Sequence, residues 1–307
     1  MRKKNISKEL VAQFIETINN IEKYRDLSEK EKEMIGRRLL STKYMDLRCD
    51  WAFKHVMQNK EVLKMLLRDF ISPDIYEVEF LPNEIDRTAE DDKNIIMDVL
   101  CRTVDGRRFI VEMQKKKKKS FKNRMFYYGA SMLHSQIGAG EKYGMLMPVY
   151  VICFMTFSLE HETDQLVYRY EMRESDSGEL YNNLLNICLC ELPRLKAKKI
   201  DGLNEIESWF YILQNLHKFA GKPEEMGSRF KPLAESALMS PLPDTNKLQY
   251  IRAMVSEEER LDIGAAYYED GFAEAKAEAA RAMLKEGLPM DIIVKCTGLS
   301  VEEINKL

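Results

Sequence analysis

The sequence predicts an α/β fold with helical extensions at both ends, and three observations support this. The chain has 307 residues and is 45% hydrophobic, enough for one large or two smaller domains with a sizeable core. Between about residues 75 and 192, short segments rich in β-branched residues alternate with helical segments, an order typical of α/β proteins. Toward both ends, the apolar residues recur at helical spacing. We therefore expect an N-terminal helical extension over 1–41, a core domain over 42–200 and a helical C-terminal region over 201–307.

Two helices are predicted in the N-terminal extension. Within Glu9–Leu27, Phe14 and Ile18 lie on one face at helical spacing. The second helix is expected to begin after Ser28, because Glu31 lies three residues later and completes a capping box.

The core domain is predicted to begin with a helix over 50–71, in which Val62, Leu66 and Phe70 form a buried stripe. The run 149–157 is continuously apolar, which is typical of a strand buried on both faces. The other predicted elements are a strand within 75–81, a polar loop over 82–93, a helix from 120 to about 141, strands over 166–172 and 186–192, a helix over 205–217, a long helix over 256–286 and two short helices over 290–307.

The composition excludes several classes of function. The net charge is only −3, so any signal for nucleic-acid binding must be local. The six cysteines form no CxxC pair and the four histidines have no ligand spacing, which argues against a disulfide framework and a zinc site. The basic N-terminus is not followed by the apolar segment of a signal peptide, and no apolar run approaches the roughly 20 residues that cross a bilayer. We expect a cytoplasmic protein with reduced cysteines and no membrane partner.

Polar residues occur within an apolar hairpin at the centre of the sequence. Residues 94–103 and 107–115 are rich in strand-forming residues, and Asp105-Gly106 between them is a turn signal. Side chains alternate along a strand, so Glu112 and Gln114 share a face. Burying an unpaired polar group costs about 1–3 kcal/mol, so this face needs a reason beyond core packing.

The length of the hairpin loop decides whether a second carboxylate joins Glu112. A two-residue loop pairs Asp98 with Met113 and turns Asp98 away from Glu112. A three-residue loop, with Gly106 in the left-handed region, pairs Asp98 with Glu112 instead. The sequence permits the second register, in which the two carboxylates lie side by side on neighbouring strands.

In that register the hairpin is a candidate metal site. Adjacent carboxylates repel unless a cation lies between them, and hard oxygen ligands suit Mg²⁺. We expect Asp98 and Glu112 to be metal ligands, the backbone carbonyl of Met113 to be a further ligand, and Gln114 to orient a water or a phosphate oxygen. Asp98, Glu112 and Gln114 are thus the predicted catalytic residues, and Mg²⁺, or another divalent cation such as Mn²⁺ or Ca²⁺, is the predicted cofactor. The alternative is a hairpin face exposed to water.

These residues resemble the site of the PD-(D/E)XK nucleases, which have two acidic residues on a β-hairpin between helices. Further motifs resemble the PD-(D/E)XK nuclease family transposases, also called recombination-promoting nucleases, over residues 42–307. These motifs are Asp50-Trp51-Ala52-Phe53-Lys54, Val111-Glu112-Met113-Gln114, Phe121, Arg124, Tyr127-Tyr128, Gly140-Glu141, Tyr143 and Thr297-Gly298-Leu299-Ser300-Val301-Glu302-Glu303-Ile304. The resemblance implies a restriction-endonuclease-like core, in which a central mixed β-sheet is flanked by helices. It also implies a bacterial DNA endonuclease that uses a divalent metal ion and is associated with recombination or mobile elements.

One position departs from the widest form of the superfamily motif, which ends in lysine where this chain has Gln114. A glutamine cannot supply positive charge to the transition state. The family resembled has glutamine at this place, so the departure alone does not indicate an inactive protein. Lys116, two residues further on the same predicted strand face, is a candidate replacement.

A basic run follows the hairpin, with seven basic residues in ten and no acidic one. It is predicted to bind the phosphate backbone beside the active site, and the alternative is a solvated loop. The predicted DNA-binding residues are Lys115, Lys116, Lys117, Lys118, Lys119, Lys122 and Arg124.

Accessory residues are predicted on the flanking helices. Arg124 and Tyr128 are four residues apart and share a helical face, as do Asp50 and Lys54. Gln136 is a further candidate. The alternatives are that Arg124, Tyr128 and Gln136 brace the helix on the sheet, and that Asp50 and Lys54 form an exposed ion pair.

Three functions follow from these observations. The first is a metal-dependent DNA endonuclease, and the second is an inactive DNA-binding protein that keeps the nuclease fold. The third is an interaction module that self-associates through the long helix over 256–286. The final helix pair has the form of a helix-turn-helix, but Glu302 and Glu303 make it partly acidic, so packing or homo-oligomerisation is the favoured role.

Overall fold

The computed structural model describes residues 8–19, 24, 26–82, 84–85, 95–255 and 276–305. Contacts divide the chain into two compact units, one of Thr42–Tyr250 and one of Met1–Ser41 with Ile251–Leu307. The polar loop predicted over 82–93 lies mostly outside the described residues. So does the long helix predicted over 256–286, of which the described part, 276–285, is helical. The division into 1–41, 42–200 and 201–307 stays a prediction.

The unit Thr42–Tyr250 is built on a mixed β-sheet. The strands of the described chain are β1 (Val78–Phe80), β2 (Glu84–Ile85), β3 (Ile95–Ile96), β4 (Val99–Thr103), β5 (Arg108–Gln114), β6 (Val149–Met155), β7 (Val167–Arg173) and β8 (Leu180–Glu191). Six of them form one sheet in the order β1-β4-β5-β6-β8-β7, while β2 and β3 pair separately. The pairs β5–β6 and β6–β8 are parallel, and the other neighbours in the sheet are antiparallel.

Helices cover both faces of this sheet. The α-helices with defined bounds are α1 (Lys8–Asn19), α2 (Glu29–Ser41), α3 (Asp50–Met57), α4 (Lys60–Phe70), α5 (Phe121–His134), α6 (Glu205–Asn215), α7 (Gly227–Ser236), α8 (Asp244–Val255), α9 (Met290–Thr297) and α10 (Val301–Ile304). Helix α5 packs Met125 and Met132 onto one face. On the other face, Phe154 of β6 contacts Phe53 of α3 and Phe70 of α4. The predicted α/β fold, a central mixed sheet flanked by helices, is confirmed.

Two predicted elements are divided in the structure. The single helix expected over 50–71 is two helices, α3 and α4, because Asn59 caps the second by accepting a hydrogen bond from the backbone N–H of Glu61 at 3.0 Å. The strand expected over 94–103 is interrupted at Met97 and Asp98, so that Asp98 lies immediately before β4.

The hairpin of β4 and β5 has the three-residue loop. The backbone N–H of Thr103 donates to the carbonyl of Arg107 at 2.9 Å, and Gly106 has a φ of 89°. Val99 pairs with Val111, and the same register continued by one residue places Asp98 opposite Glu112. Of the two registers that the sequence left open, the structure therefore has the one that brings the two carboxylates together.

Replacing Gly106 with valine should destabilise the protein by about 2 kcal/mol, because a β-branched residue is strained at positive φ. The added Cβ would also lie 3.0 Å from Cγ of Met147. Thermal melting should show a lower Tm for Gly106→Val and an intermediate one for Gly106→Asn, since asparagine tolerates this conformation better. Val104→Ala, at a 91% exposed position of the same loop, is the matched control and should melt like the wild type. An unchanged Tm for Gly106→Val would contradict this account of the loop.

The unit of Met1–Ser41 and Ile251–Leu307 contains the predicted terminal helices. Helix α2 starts with the expected capping box, in which the backbone N–H of Ser28 donates to Oε2 of Glu31 at 2.8 Å. Helices α9 and α10 are joined through Gly298, which has a φ of 68°, and Ser300 and Glu303 form the second capping box. Along the described ranges, no helix combines the length and the apolar character needed to cross a bilayer.

Candidate active site

The carboxylates of Asp98 and Glu112 are held by the backbone of the neighbouring strand. The N–H of Asp98 donates to Oε1 of Glu112 at 3.0 Å, and the N–H of Met113 donates to Oδ2 of Asp98 at 2.9 Å. Both side chains are almost fully buried. This reciprocal pairing follows from the hairpin register, and it holds the two carboxylates close together near the end of β5.

Gln114 connects this carboxylate pair to helix α5. Its amide Nε2 donates to Oε2 of Glu112 at 2.9 Å, and its Oε1 accepts a hydrogen bond from Nη2 of Arg124. The guanidinium of Arg124 also lies over the ring of Tyr128, 5.9 Å from its centroid, as their spacing of four residues on one helix predicts. A carboxylate, an amide and a guanidinium thus form one hydrogen-bonded chain.

Helix α3 contributes a second cation. The ammonium of Lys54 lies 3.1 Å from Oδ1 of Asp98 and 3.2 Å from Oδ2 of Asp50. Burial lowers the pKa of Lys54, but the charges of Asp98 and Asp50 outweigh it and raise this pKa above its usual value. Lys54 is therefore charged at neutral pH and ties α3 to the carboxylate pair.

Both carboxyl groups of the pair hold protons more strongly than usual. Burial raises the pKa of Glu112 to about 7, although hydrogen bonds from Asp98 and Gln114 oppose it. Burial also raises the pKa of Asp98 well above its usual range, and the charges of Glu112 and Asp50 add to this effect. Perturbed carboxyl groups of this kind cluster at functional sites, since a structural ion pair would lower these values instead.

Two further residues border the site. Burial raises the pKa of the half-buried Tyr128, and the charges of Glu112 and Asp98 raise it further. Cys153 of β6 is completely buried and pairs in register with Glu112, so it lies beside Glu112 in the sheet. Cys153 was not predicted as part of the site, because the strand that would lie next to β5 cannot be read from the hairpin.

Helices on both faces of the sheet contribute side chains to the site. The site lies at one end of the sheet, where β4 begins and β5 ends. Helix α5 covers the face that carries Cys153, while α3 covers the face that carries Phe154. Side chains from both layers therefore converge on the end of β5.

The basic loop leads directly out of this site. The chain after β5 is held by Thr156, whose N–H donates to the carbonyl of Gln114 and whose hydroxyl donates to the carbonyl of Lys115, both at 3.0 Å. An open cavity of about 590 Å³ lies beside the loop. Its lining residues are Lys117, Lys118, Lys119, Phe121, Lys122, Leu159 and Glu160. The predicted basic surface is thus next to the carboxylates in the chain and rich in exposed lysines.

Two predicted residues have other positions. The side-chain amide of Gln136 forms two hydrogen bonds with the backbone of Met147. Its Nε2 donates to the carbonyl of Met147 at 2.9 Å, and its Oε1 accepts from the N–H of Met147 at 2.8 Å. Met147 lies just before β6, whose first residue, Val149, pairs with Arg108 at the start of β5. The two ends of β5 are about 20 Å apart, so Gln136 lies near the end of β5 that is opposite to the carboxylates. Lys116 does not continue the face of Gln114, because β5 ends at Gln114.

The oxygen donors of this site fit a hard divalent cation. Asp98 and Glu112 lie opposite each other in the hairpin register and have raised pKa values, and a cation between their carboxylates would relieve their repulsion. Within the described ranges, no three Asp, Glu, His or Cys side chains converge as metal ligands. The protein would therefore supply two carboxylates, and waters, a backbone carbonyl and phosphate oxygens would complete the shell, as is common for Mg²⁺.

Comparison with protein families gave two matches. Residues 47–260 match the family described as PD-(D/E)XK nuclease family transposase. Residues 273–307 match the model described as Rpn/YhgA-like nuclease family, C-terminal HTH domain. Searches among curated proteins and among solved structures gave no match.

The second match corrects the role that the sequence favoured for the C-terminal helices. The sequence favoured packing or oligomerisation because Glu302 and Glu303 are acidic. The match identifies residues 273–307 as a helix-turn-helix domain, and within it helices α9 and α10 are joined by a turn at Gly298. Homo-oligomerisation through these helices stays a prediction.

Proposed function

Because the chain belongs to the PD-(D/E)XK nuclease family transposases, we propose that it is a metal-dependent DNA endonuclease that hydrolyses phosphodiester bonds. The observation that carries the proposal is the buried pair of Asp98 and Glu112. Two carboxyl groups with raised pKa values are costly to bury side by side, and a structural role does not require them. A divalent cation would offset the repulsion between the two negative charges when both groups are ionised.

Asp98 and Glu112 would hold the cation, together with the backbone carbonyl of Met113. When bound, Mg²⁺ or a similar ion lowers the pKa of a water and neutralises charge on the scissile phosphate. Hydrolysis adds the water oxygen to phosphorus and breaks the bond from phosphorus to one sugar oxygen, which leaves with a proton. Gln114 would fix the orientation of Glu112, whose Oε2 accepts its amide N–H at 2.9 Å.

DNA would be bound by two surfaces. The basic loop, which follows β5 directly in the chain, carries exposed lysines that would neutralise backbone phosphates. The helix-turn-helix domain supplies a second DNA-binding element. Phosphate contacts of the loop would position the strand, since backbone contacts carry no sequence information. The proposal includes an association with recombination or mobile elements, which the description of the family as transposases supports.

A nicking assay on supercoiled plasmid tests the function. The wild type should convert the plasmid to nicked and linear forms with Mg²⁺ and show no conversion with EDTA. Asp98→Ala and Glu112→Ala should each abolish the reaction. Cleavage that persists in either variant would overturn the assignment of the site, and absence of cleavage by the wild type with every divalent cation tried would overturn the function.

The same assay addresses the alternative, an inactive protein that keeps the fold and binds DNA. Tight binding of the plasmid without metal-dependent cleavage would support it. The intact carboxylate pair favours the active enzyme, because a protein that only binds DNA gains nothing from two buried carboxyl groups that repel phosphate.

A further inference from the structure

The guanidinium of Arg124 has more hydrogen-bond donors than the protein uses. Within the described ranges, its Nη2 donates a hydrogen bond to Gln114 and its guanidinium contacts the ring of Tyr128. Its Nε is buried and has no hydrogen-bond partner in the part of the chain that the structure describes. A guanidinium carries five N–H groups in a planar fork that matches the oxygens of a phosphate. Arg124 therefore presents unused donors to an anion at the edge of the carboxylate site.

The other cation of the site, Lys54, is already engaged. Its ammonium lies within 3.2 Å of two carboxylates, those of Asp50 and Asp98. Among the described residues, no carboxylate lies within ion-pair distance of the guanidinium of Arg124, which is linked to Glu112 by hydrogen bonds through the amide of Gln114. Of these two cations, Arg124 keeps its charge available for a substrate.

We propose that Arg124 is a catalytic residue that contacts the scissile phosphate and supplies the positive charge that Gln114 cannot. Gln114 is then the positioning residue that holds the guanidinium beside Glu112. This inference rests on the proposed nuclease function. As water adds to phosphorus, the phosphate gains negative charge, and two parallel N–H bonds from one guanidinium would stabilise it.

The chemistry of the amide explains why glutamine suits position 114. An amide donates from nitrogen and accepts at oxygen, so Gln114 bonds to a carboxylate on one side and to a guanidinium on the other. A lysine at this position would bond to Glu112 but repel Arg124. Gln114 and Arg124 are therefore a matched pair, and an exchange of charge between them is a direct test.

The experiment measures single-turnover cleavage of plasmid DNA with Mg²⁺ and, separately, the affinity for the same DNA with Ca²⁺. Arg124→Gln should lower the cleavage rate by about 100-fold while DNA affinity falls less than about tenfold. The double variant Gln114→Lys with Arg124→Gln should cleave at least about tenfold faster than Arg124→Gln alone. Gln114→Lys by itself should be slower than the wild type. Arg102→Gln, a half-exposed arginine paired with Glu79 elsewhere in the sheet, is the control and should cleave normally.

The outcomes separate this inference from the proposed function. Cleavage by Arg124→Gln close to the wild-type rate would overturn the role of Arg124 and leave the function intact. A loss of affinity as large as the loss of rate would make Arg124 a binding residue only, which also overturns it. Failure of the double variant to recover would show that the missing charge is not the cause. Arg124→Lys, which keeps the charge, covers a failure of Arg124→Gln to fold and should retain more activity than Ala at the same position.

Discussion

Replacing Glu112 with glutamine should reduce metal-dependent DNA cleavage by roughly 1,000-fold without unfolding the protein, on the scale seen when a transition-state group is lost. Glutamine has the shape of glutamate but no charge, so the cation would lose one of its two carboxylate ligands. It also removes the repulsion from Asp98, which helps to raise the pKa of that group. The Tm of the metal-free variant should therefore equal or exceed that of the wild type. Plasmid nicking and thermal melting measure the two effects.

The combination of lost activity and retained stability distinguishes a metal ligand from a structural residue. A buried carboxylate with a structural role is stabilised in its charged form by its partners, so neutralising it would destabilise the fold. Burial instead disfavours the charge of Glu112 and raises its pKa to about 7. Glu79→Gln is the matched control, since Glu79 is an exposed carboxylate paired with Arg102 on β4. It should leave both readouts unchanged. Substantial cleavage by Glu112→Gln, or a sharp fall in its Tm, would contradict the assignment.

For local reasons, the sequence predicted the fold class correctly and reduced the hairpin to two possible registers, one of which the structure shows. Gly106 after Asp105 favours a loop that ends in a left-handed residue, and this short-range preference determines which residue faces Glu112. The capping boxes at Ser28 and Ser300 are equally local, since each involves residues three positions apart. Signals that depend on neighbouring residues were sufficient for these features.

Other features depend on contacts between distant segments and were not predictable. The place of β6 beside β5 sets Cys153 next to Glu112, and no periodicity in either strand specifies that pairing. Arg124 and Tyr128 lie on the same face of helix α5, as predicted. Gln136 lies beyond the end of this helix, near the start of β6. Spacing along a helix placed the first two residues at the site and could not show that the helix runs away from it.

The break between α3 and α4 at Asn59 was not predicted because a local hydrogen bond interrupts a continuous apolar pattern. The pattern of apolar residues continues across 50–71, so periodicity alone favours one helix. Asn59 competes with the helical backbone by accepting from the N–H of Glu61, which starts a new helix at that point. Asp50 and Lys54 therefore lie on a short helix of their own, α3, and Lys54 of this helix contacts Asp98.

Mg²⁺ should stabilise the protein far more at pH 8 than at pH 6. Protons and the cation compete for the same carboxylates, and burial raises the pKa of Glu112 to about 7. With that value, the ionised fraction of Glu112 is about tenfold higher at pH 8 than at pH 6, and the apparent affinity for Mg²⁺ should change at least as much. Thermal melts with Mg²⁺ or EDTA at both pH values measure the difference.

In the metal-free protein, a rise in pH has the opposite effect and lowers the stability. A carboxyl group whose pKa is raised on folding contributes stability below its unfolded pKa, and this contribution is lost as the pH rises through the folded value. For Glu112 the window runs from about 4.5 to about 7, and Asp98 acts in the same direction. In EDTA the carboxylate pair should therefore lower the Tm between pH 6 and pH 8, while Mg²⁺ reverses this loss.

Glu112→Gln provides the control for this second prediction. Without the titrating carboxyl group, the Mg²⁺-dependent rise in Tm should be small and nearly the same at pH 6 and pH 8. A wild-type rise that is equal at both pH values would mean that the cation binds away from the pair. A larger rise at pH 6 would mean that metal binding prefers the protonated carboxyl groups, which is incompatible with a site built from Asp98 and Glu112.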